Sequence, residues 1–384
     1  MKLAKSQYLT VIITALSRGG AEIQLLYLTR ELRNKFERID IIFFDEEPSS
    51  GTLIHEFNQI PNVFLHKCVF SPFRPIQTTI DLSRQFSRII NIPETSYIYT
   101  LMVRSDLYGK ILKTLLGSGV KLTQSFHAAY DIAAHKTVSV KIAWFFMFMW
   151  GYRGVNPKIF ISRSVKKAVT LRYPFISSHH GEIIHYGLPD QLFQQDTIKN
   201  KDLDIKGKPF ILMVGRLDPD KNYNEAIAIY KILRGLVKKD CPRLVIIGQD
   251  DYKLQNKILS EVDGVEYLGP LPNNVVLSYM KKADLFLFCS LNEGLGLALL
   301  EALSQECIVL ARNSGAFPEL LQHRQNGFLY NGSNLEEAAS LILEILSLSN
   351  DERYRIITNA KERLMSRHSI KSYAKSVTYA IQGT

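Results

Sequence analysis

Cysteine is scarce and scattered. Cys68, Cys241, Cys289 and Cys307 form no C-x-x-C pair, which argues against a zinc site or a disulfide framework and suits the reduced thiols of a cytosolic chain. Long apolar runs are also missing. The longest candidate, Ile142–Trp150 (IAWFFMFMW), has about half of the roughly 18 residues that a membrane-spanning helix needs. Lys2 and Lys5 precede an apolar run, Tyr8–Leu16, with Ala15-x-Ser17 placed like a signal-peptidase site. That run is short and β-rich and passes at once into Arg18-Gly19-Gly20, so it is read as a first strand entering a glycine turn. There is no P-loop, and Arg18-Gly-Gly-Ala-Glu lacks the G-x-G-x-x-G of a dinucleotide-binding dehydrogenase. No RNP, KH or helix-turn-helix pattern accompanies the basic residues, so nucleic acid is not an expected partner. Short-period repeats and low-complexity tracts are absent.

What is present describes a soluble globular chain large enough for two cores. Its 384 residues are 46% hydrophobic and 22% charged, and domains usually stop growing well short of that length. The net charge of +10 is lopsided. Residues 1–195 hold 23 Lys and Arg against 14 Asp and Glu, and the remainder holds 24 against 23. A basic first half predicts an anionic partner there, such as phosphate groups or a lipid surface.

Apolar, β-branched runs alternate with helical stretches. Strands are expected at Leu9–Ala15, Ile39–Phe44, Val63–Leu65, Tyr97–Met102, Lys121–Phe126, Ile159–Ser162 and Ile183–His185. The pattern restarts at Phe210–Val214, Leu244–Ile247, Val265–Leu268, Leu285–Cys289, Ile308–Ala311 and Gly327–Tyr330. Near-continuous apolar strands separated by amphipathic helices predict parallel sheets covered on both faces. A lysine-rich, aperiodic segment, 194–208, reads as a linker between two Rossmann-like domains facing one another. Ligands of such sheets bind beyond the carboxyl ends of the strands. That selects four turns: Ser17–Glu22, Gly215–Lys221, Ser290–Gly296 and Asn313–Glu319.

The third turn, Ser290-Leu-Asn-Glu293-Gly294-Leu295-Gly296, leads into an apolar helix, Leu297–Leu303, that contains Glu301. A carboxylate on such a face needs a partner, since burying an unpaired charge is costly. Two vicinal ribose hydroxyls would supply one by donating to it together. Gly294 and Gly296 let backbone amides approach an anion at a helix N-terminus. Arg216 and Lys221 lie in the loop after another strand of the same domain, where two cations would balance a diphosphate.

Taken together, GRLDPDKN (Gly215–Asn222), NEGLGLALLEAL (Asn292–Leu303), NSGAFPEL (Asn313–Leu320), QNGFLY (Gln325–Tyr330) and SRGGAE (Ser17–Glu22) resemble glycosyltransferase family four, retaining enzymes of the two-Rossmann GT-B fold. The resemblance spans nearly the whole chain and implies an α/β fold. It implies an acceptor-binding domain over 1–193, a donor-binding domain over 209–364, and a C-terminal helix over 365–384 that packs back on the first domain. It further implies that Arg216 and Lys221 hold the donor diphosphate, that Glu301 holds the ribose and that Glu293 contacts the donor sugar. The amides of Gly294, Leu295, Gly296 and Leu297 would neutralise phosphate, and Gly19 and Gly20 would bring the first domain's backbone to the diphosphate. His127, in QSFHAAYD, matches the family's histidine near the transferred sugar. Two departures stand out. Glu306-Cys307-Ile308-Val309 replaces the usual Gly-x-Pro-Val, and Gly315-Ala316 replaces a double glycine.

The expected reaction stabilises a departing nucleotide diphosphate, UDP on frequency, and an oxocarbenium-like sugar. No carboxylate pair suited to double displacement stands out. By resemblance, retention follows from same-face attack by the acceptor. Lysine and arginine would do the charge work of a metal, so neither metal nor cofactor is expected. On the acceptor side, Trp144 and Trp150 bracket an aromatic and methionine cluster flanked by Lys141 and Arg153, with Tyr152 adding another ring. Such a stretch suits an anionic bilayer surface and a glycan or lipid-linked glycan acceptor, as in bacterial surface polysaccharide synthesis at the cytoplasmic face of the inner membrane. The alternatives are a helix buried in the first domain for that stretch. For the chain they are a non-catalytic sugar-nucleotide-binding protein or a GT-B epimerase or phosphorylase.

Overall fold

The computed structural model describes residues 7–44, 52–68, 80–86 except 82, 95–128, 145–176 except 147 and 148, 181–194, 209–237, 241–258 except 257, and 262–383. The expected linker, 194–208, lies outside them apart from Gln194. The chain divides into two compact units. One comprises residues 1–187 together with 370–384, and the other comprises 188–369. The first unit thus ends at Gly187 rather than 193, and the chain rejoins it at Ile370 rather than 365.

The first unit holds a seven-stranded sheet: β1 (Tyr8–Ile12), β2 (Arg38–Phe43), β3 (Val63–Lys67), β4 (Thr95–Leu101), β5 (Lys121–Phe126), β6 (Lys158–Phe160) and β7 (Gly181–Ile183). All its pairings are parallel, in the spatial order β3-β2-β1-β4-β5-β6-β7. The second unit repeats the scheme with β8 (Phe210–Val214), β9 (Arg243–Ile247), β10 (Val265–Tyr267), β11 (Leu285–Phe288), β12 (Val309–Arg312) and β13 (Phe328–Tyr330), ordered β10-β9-β8-β11-β12-β13. Twelve lie at the apolar runs picked out in the sequence; β7 sits earlier than expected and shares only Ile183 with the run Ile183–His185. Each sheet therefore reverses its strand order beside its first strand, between β1 and β4 and between β8 and β11. Those two reversals open the crevices in which doubly wound sheets hold ligands.

The physical basis of the match is burial on both faces. Central strands such as β11 (LFLF) are buried at every position and so show no polar alternation. The edge strands differ. Phe64 of β3 is 46% exposed and has the Arg38 guanidinium 4.3 Å from its ring centroid.

Two features of the first unit matter below. Its helix Val103–Leu116 is anchored by Asp106, which is buried and accepts from the hydroxyls of Thr100 and Tyr152. Tyr152 is thus a core ring rather than part of an exposed aromatic cluster. Its C-terminal helix, Ile370–Gln382, buries Ile370, Tyr373, Ala374, Val377, Ala380 and Ile381, and packs on the helix Gly20–Leu32 and on β4 and β5. The four cysteines are free thiols. Burial pushes Cys68 up to about 11 and Cys289 and Cys307 to about 12, far from thiolate character.

Candidate functional site

In the second unit the selected turns come together at the β8/β11 reversal. The loop after β8 runs from Gly215 through a short 3-10 turn, Pro219–Lys221, whose entry is capped by the Asp218 carboxylate accepting from the Asp220 amide. Asn222 closes that turn in the left-handed region at φ 54°, which asparagine tolerates better than most residues. The loop after β11 is tied to it by the Leu291 amide, which donates to the Asp220 carbonyl at 2.9 Å. The loop after β12 is tied on in turn. Ser314 Oγ donates to the Ser290 carbonyl at 2.7 Å, and the Ala316 amide donates to the Glu293 carbonyl at 3.1 Å.

Glycine is required where these backbones meet. A Cβ on Gly315, at φ 53°, would lie 2.7 Å from the Glu293 carbonyl oxygen and 2.8 Å from its nitrogen. Gly248, after β9, is tighter still, with the Gly215 carbonyl 1.8 Å from where its Cβ would stand. Gly296, at φ 90°, is the N-cap of the helix Leu297–Ser304 and leaves that helix start with no side-chain cap.

The charged side chains follow. Lys221 Nζ donates to Glu293 Oε2 at 2.6 Å, so the cation and the carboxylate read separately in the sequence are paired with each other. Arg216 reaches outward, with its side chain 65% exposed and only a 3.8 Å approach to Asp218. Glu301 is buried among Leu299, Leu300, Ala302 and Leu303, and its Oε1 has no hydrogen-bond partner among the described residues. Burial pushes its carboxyl up to about 7, so near neutrality the group is poised between acid and carboxylate. An orphaned buried carboxyl is costly to keep, and hydroxyl donors arriving with a ligand would satisfy it.

The remaining candidates belong to the first unit. Gly19 caps the helix Gly20–Leu32 directly after the turn that leaves β1. His127 follows β5; it is buried, and its Nδ1 is 2.5 Å from the Tyr186 hydroxyl. Burial holds the imidazole well below its usual range, at about 3. Trp150 is 44% exposed with Lys110 Nζ 5.8 Å from its ring, and Arg153 is exposed nearby in sequence. Trp144 and Lys141 lie outside the described residues.

Several contributors are not visible in the sequence pattern. Tyr223 and Tyr267 donate their hydroxyls to the Gly215 and Gly248 carbonyls, at 2.9 and 2.7 Å, and so fix the loop ends. Met102, directly after β4 at the other reversal, sits at φ 75° and ψ 154°, a strained conformation for a side chain of its size. A positive φ leaves no compositional trace when the residue is not glycine. Tyr186 lies 59 residues from His127, and no motif links them.

The glycosyl transferases group 1 family matches residues 194–363. An uncharacterized glycosyltransferase of Haemophilus influenzae is 30% identical over 171 residues, which cover 44% of this chain and 47% of that one. A GDP-mannose-dependent alpha-(1-6)-phosphatidylinositol monomannoside mannosyltransferase of Mycobacterium tuberculosis is 28% identical over 150 residues, 36% of this chain and 38% of the relative. The chain thus spans about half the length, or less, of the curated relatives it matches. Among solved structures, Anabaena Alr3699/HepE in complex with UDP and glucose superposes with a TM-score of 0.79 at 16% identity, covering 98% of this chain and all of the other. A glycosyltransferase from Rickettsia africae gives 0.81 at 17% identity, with 99% of each chain covered. At such identities the likeness speaks to fold alone, and that fold is the α/β GT-B arrangement of two Rossmann-like domains. The region that matches the glycosyl transferases group 1 family, residues 194–363, is the one that holds the second sheet and its converging loops.

Proposed function

We propose that this protein is a retaining, metal-independent glycosyltransferase that moves a sugar from a UDP-sugar to a glycan or lipid-linked glycan acceptor in bacterial surface polysaccharide or glycoconjugate synthesis. The observation that carries the reading is the orphaned Oε1 of Glu301 behind the glycine-capped helix start, with the Lys221–Glu293 pair on the adjoining loop. In this reading Glu301 accepts from both ribose hydroxyls. Arg216, whose side chain is free to swing in, and Lys221 take the diphosphate together with the amides of Gly294 to Leu297. Glu293 then exchanges part of its bond with Lys221 for a hydroxyl of the transferred sugar. Pre-aligned donors at the departing diphosphate are the kind of group whose individual loss costs about 3–4 kcal/mol of barrier.

UDP is chosen on frequency, and GDP is its main competitor because the mycobacterial relative is named for GDP-mannose. A thermal-shift panel of UDP, GDP, ADP and dTDP tests the choice. A ligand at 100 times its Kd adds about 2.7 kcal/mol, so the correct nucleotide stands out. A shift with none of the four, or one that persists in Glu301→Ala and Arg216→Ala, overturns the site. Activity abolished by EDTA and restored by manganese overturns metal independence, and a β-linked product from an α-linked donor overturns retention.

A membrane-lying acceptor is favoured by a separate observation in the first unit. Phe145, Phe146 and Trp150 are 43%, 57% and 44% exposed, and Phe145 packs edge-on against Phe175. Trp150 shares the neighbourhood of Lys110. Aromatics beside cations suit the headgroup layer of an anionic bilayer, and a pneumococcal relative is an alpha-monoglucosyldiacylglycerol synthase. Flotation with liposomes containing anionic lipid should carry the protein upward, and equal recovery without anionic lipid counts against the idea.

A further inference from the structure

His127 stands at the carboxyl end of β5 with its two ring nitrogens in different circumstances. Nδ1 is 2.5 Å from the Tyr186 hydroxyl, in a buried contact between residues 59 apart in the chain. Nε2 is equally buried and has no hydrogen-bond partner among the described residues. Tyr186 is itself held. It is 4% exposed, its ring lies at 32° to the imidazole with centroids 5.7 Å apart, and the ring of Tyr373 packs edge-on against it at 6.1 Å and 81°. Tyr373 comes from the C-terminal helix Ile370–Gln382, which is part of the same unit. The hydroxyl therefore has little freedom to leave the imidazole.

We propose that Tyr186 is a positioning residue: its hydroxyl donates to Nδ1 of His127 and so fixes the neutral tautomer with the proton on Nε2. A phenol is a stronger donor than acceptor and an imidazole nitrogen is a strong acceptor, so Tyr–O–H···Nδ1 is the favoured direction of the bond. A neutral imidazole has one donor and one acceptor nitrogen. Once Nδ1 accepts, Nε2 is the donor. Burial keeps the ring neutral at physiological pH, which removes the imidazolium as an alternative. His127 therefore presents an N–H to an oxygen of the incoming substrate and has no free lone pair with which to act as a base. Nε2, buried and without a hydrogen-bond partner among the described residues, is the atom that such an oxygen would accept from, and its desolvation is offset when substrate binds.

The inference rests on the proposed transfer reaction for its substrate but not for its first readout. In the full chain carrying 15N-labelled histidine, long-range proton–nitrogen correlation should show the His127 ring, assigned by its loss in His127→Ala, with unprotonated Nδ1 and protonated Nε2. Tyr186→Phe should shift the ring towards a mixture of tautomers. The same variant should lower kcat about tenfold or more, a fraction of the roughly hundredfold loss that deleting an aligned donor brings, while the donor KM stays within about twofold. Adding Tyr186→Phe to His127→Ala should change kcat no further, since the tyrosine acts through the ring. A proton found on Nδ1 in the unaltered protein overturns the proposal, whether or not Tyr186→Phe folds. So does a variant that alters neither tautomer nor kcat. If no donor and acceptor give turnover, the transfer reading fails, and the nitrogen spectrum still decides the role of Tyr186.

Discussion

At the scale of single residues, Glu301 couples the site to stability. The folded protein holds the Glu301 proton up to about pH 7, whereas the unfolded chain releases it near 4.5. The native state thus binds more protons within that window, and stability falls as pH rises through it. Glu301→Gln removes the cost. The variant's gain in unfolding free energy should be about 2 kcal/mol larger at pH 8 than at pH 5, as read by urea denaturation, and a pH-independent difference would refute the assignment. The same substitution should weaken the nucleotide shift. In the unaltered protein, nucleotide affinity should rise with pH through 7, because hydroxyl donors favour the carboxylate. Glu306 is a second case. It occupies the left-handed position after the helix Leu297–Ser304 at φ 62°, with its amide on the Leu303 carbonyl and that of Cys307 on the Ala302 carbonyl. Glycine is the usual choice there. The Glu306 side chain forms an ion pair with Lys361, between half-exposed side chains. Glu306→Gly should raise stability by about 0.5–1 kcal/mol in salt concentrated enough to screen that pair, measured as a shift in the urea midpoint.

At the scale of elements, the three loops of the second unit behave as one assembly because their backbones hydrogen-bond to each other. Gly315→Ala should therefore act on Glu293. A Cβ 2.7 Å from the Glu293 carbonyl oxygen meets backbone, which cannot rotate aside. The variant should lose about 1–3 kcal/mol and most of its nucleotide-induced shift, and an unchanged shift would show that the two loops are not coupled. In the first unit, Asp106→Ala removes the carboxyl group that accepts from the Thr100 and Tyr152 hydroxyls and opens a cavity in the core, which should cost about 2–4 kcal/mol by chemical denaturation. The strands were legible because burial on both faces writes itself as uninterrupted apolar residues; β5 and β8 match their expected limits at both ends. The loop ties were not. Leu291 to Asp220 and Ala316 to Glu293 are backbone bonds, and any residue type except proline can donate them.

At the scale of the whole molecule, the chain ends in the unit where it began. The C-terminal helix supplies Ala374, Val377, Ala380 and Ile381 to the core of the first unit. Truncation after Ser369 should unfold residues 1–187 at markedly lower temperature while 188–369, which holds the proposed donor loops, keeps any nucleotide-induced shift. Limited proteolysis with mass spectrometry would separate the two, and uniform loss of both units would contradict the division. The amino-acid sequence by itself determined the parallel α/β architecture, since strand composition follows directly from double-sided burial. It also determined where the glycine-rich, charged turns lie, because glycine and charge cluster where strands end. Only the tertiary structure decided which of those groups are paired, which are orphaned and which are held by a distant residue. Lys221 with Glu293 and Tyr186 on His127 are relations across 72 and 59 residues of chain, and Glu301 Oε1 has no hydrogen-bond partner among the described residues. Such relations depend on where the sheets bring strand ends together, and local sequence carries no term for that.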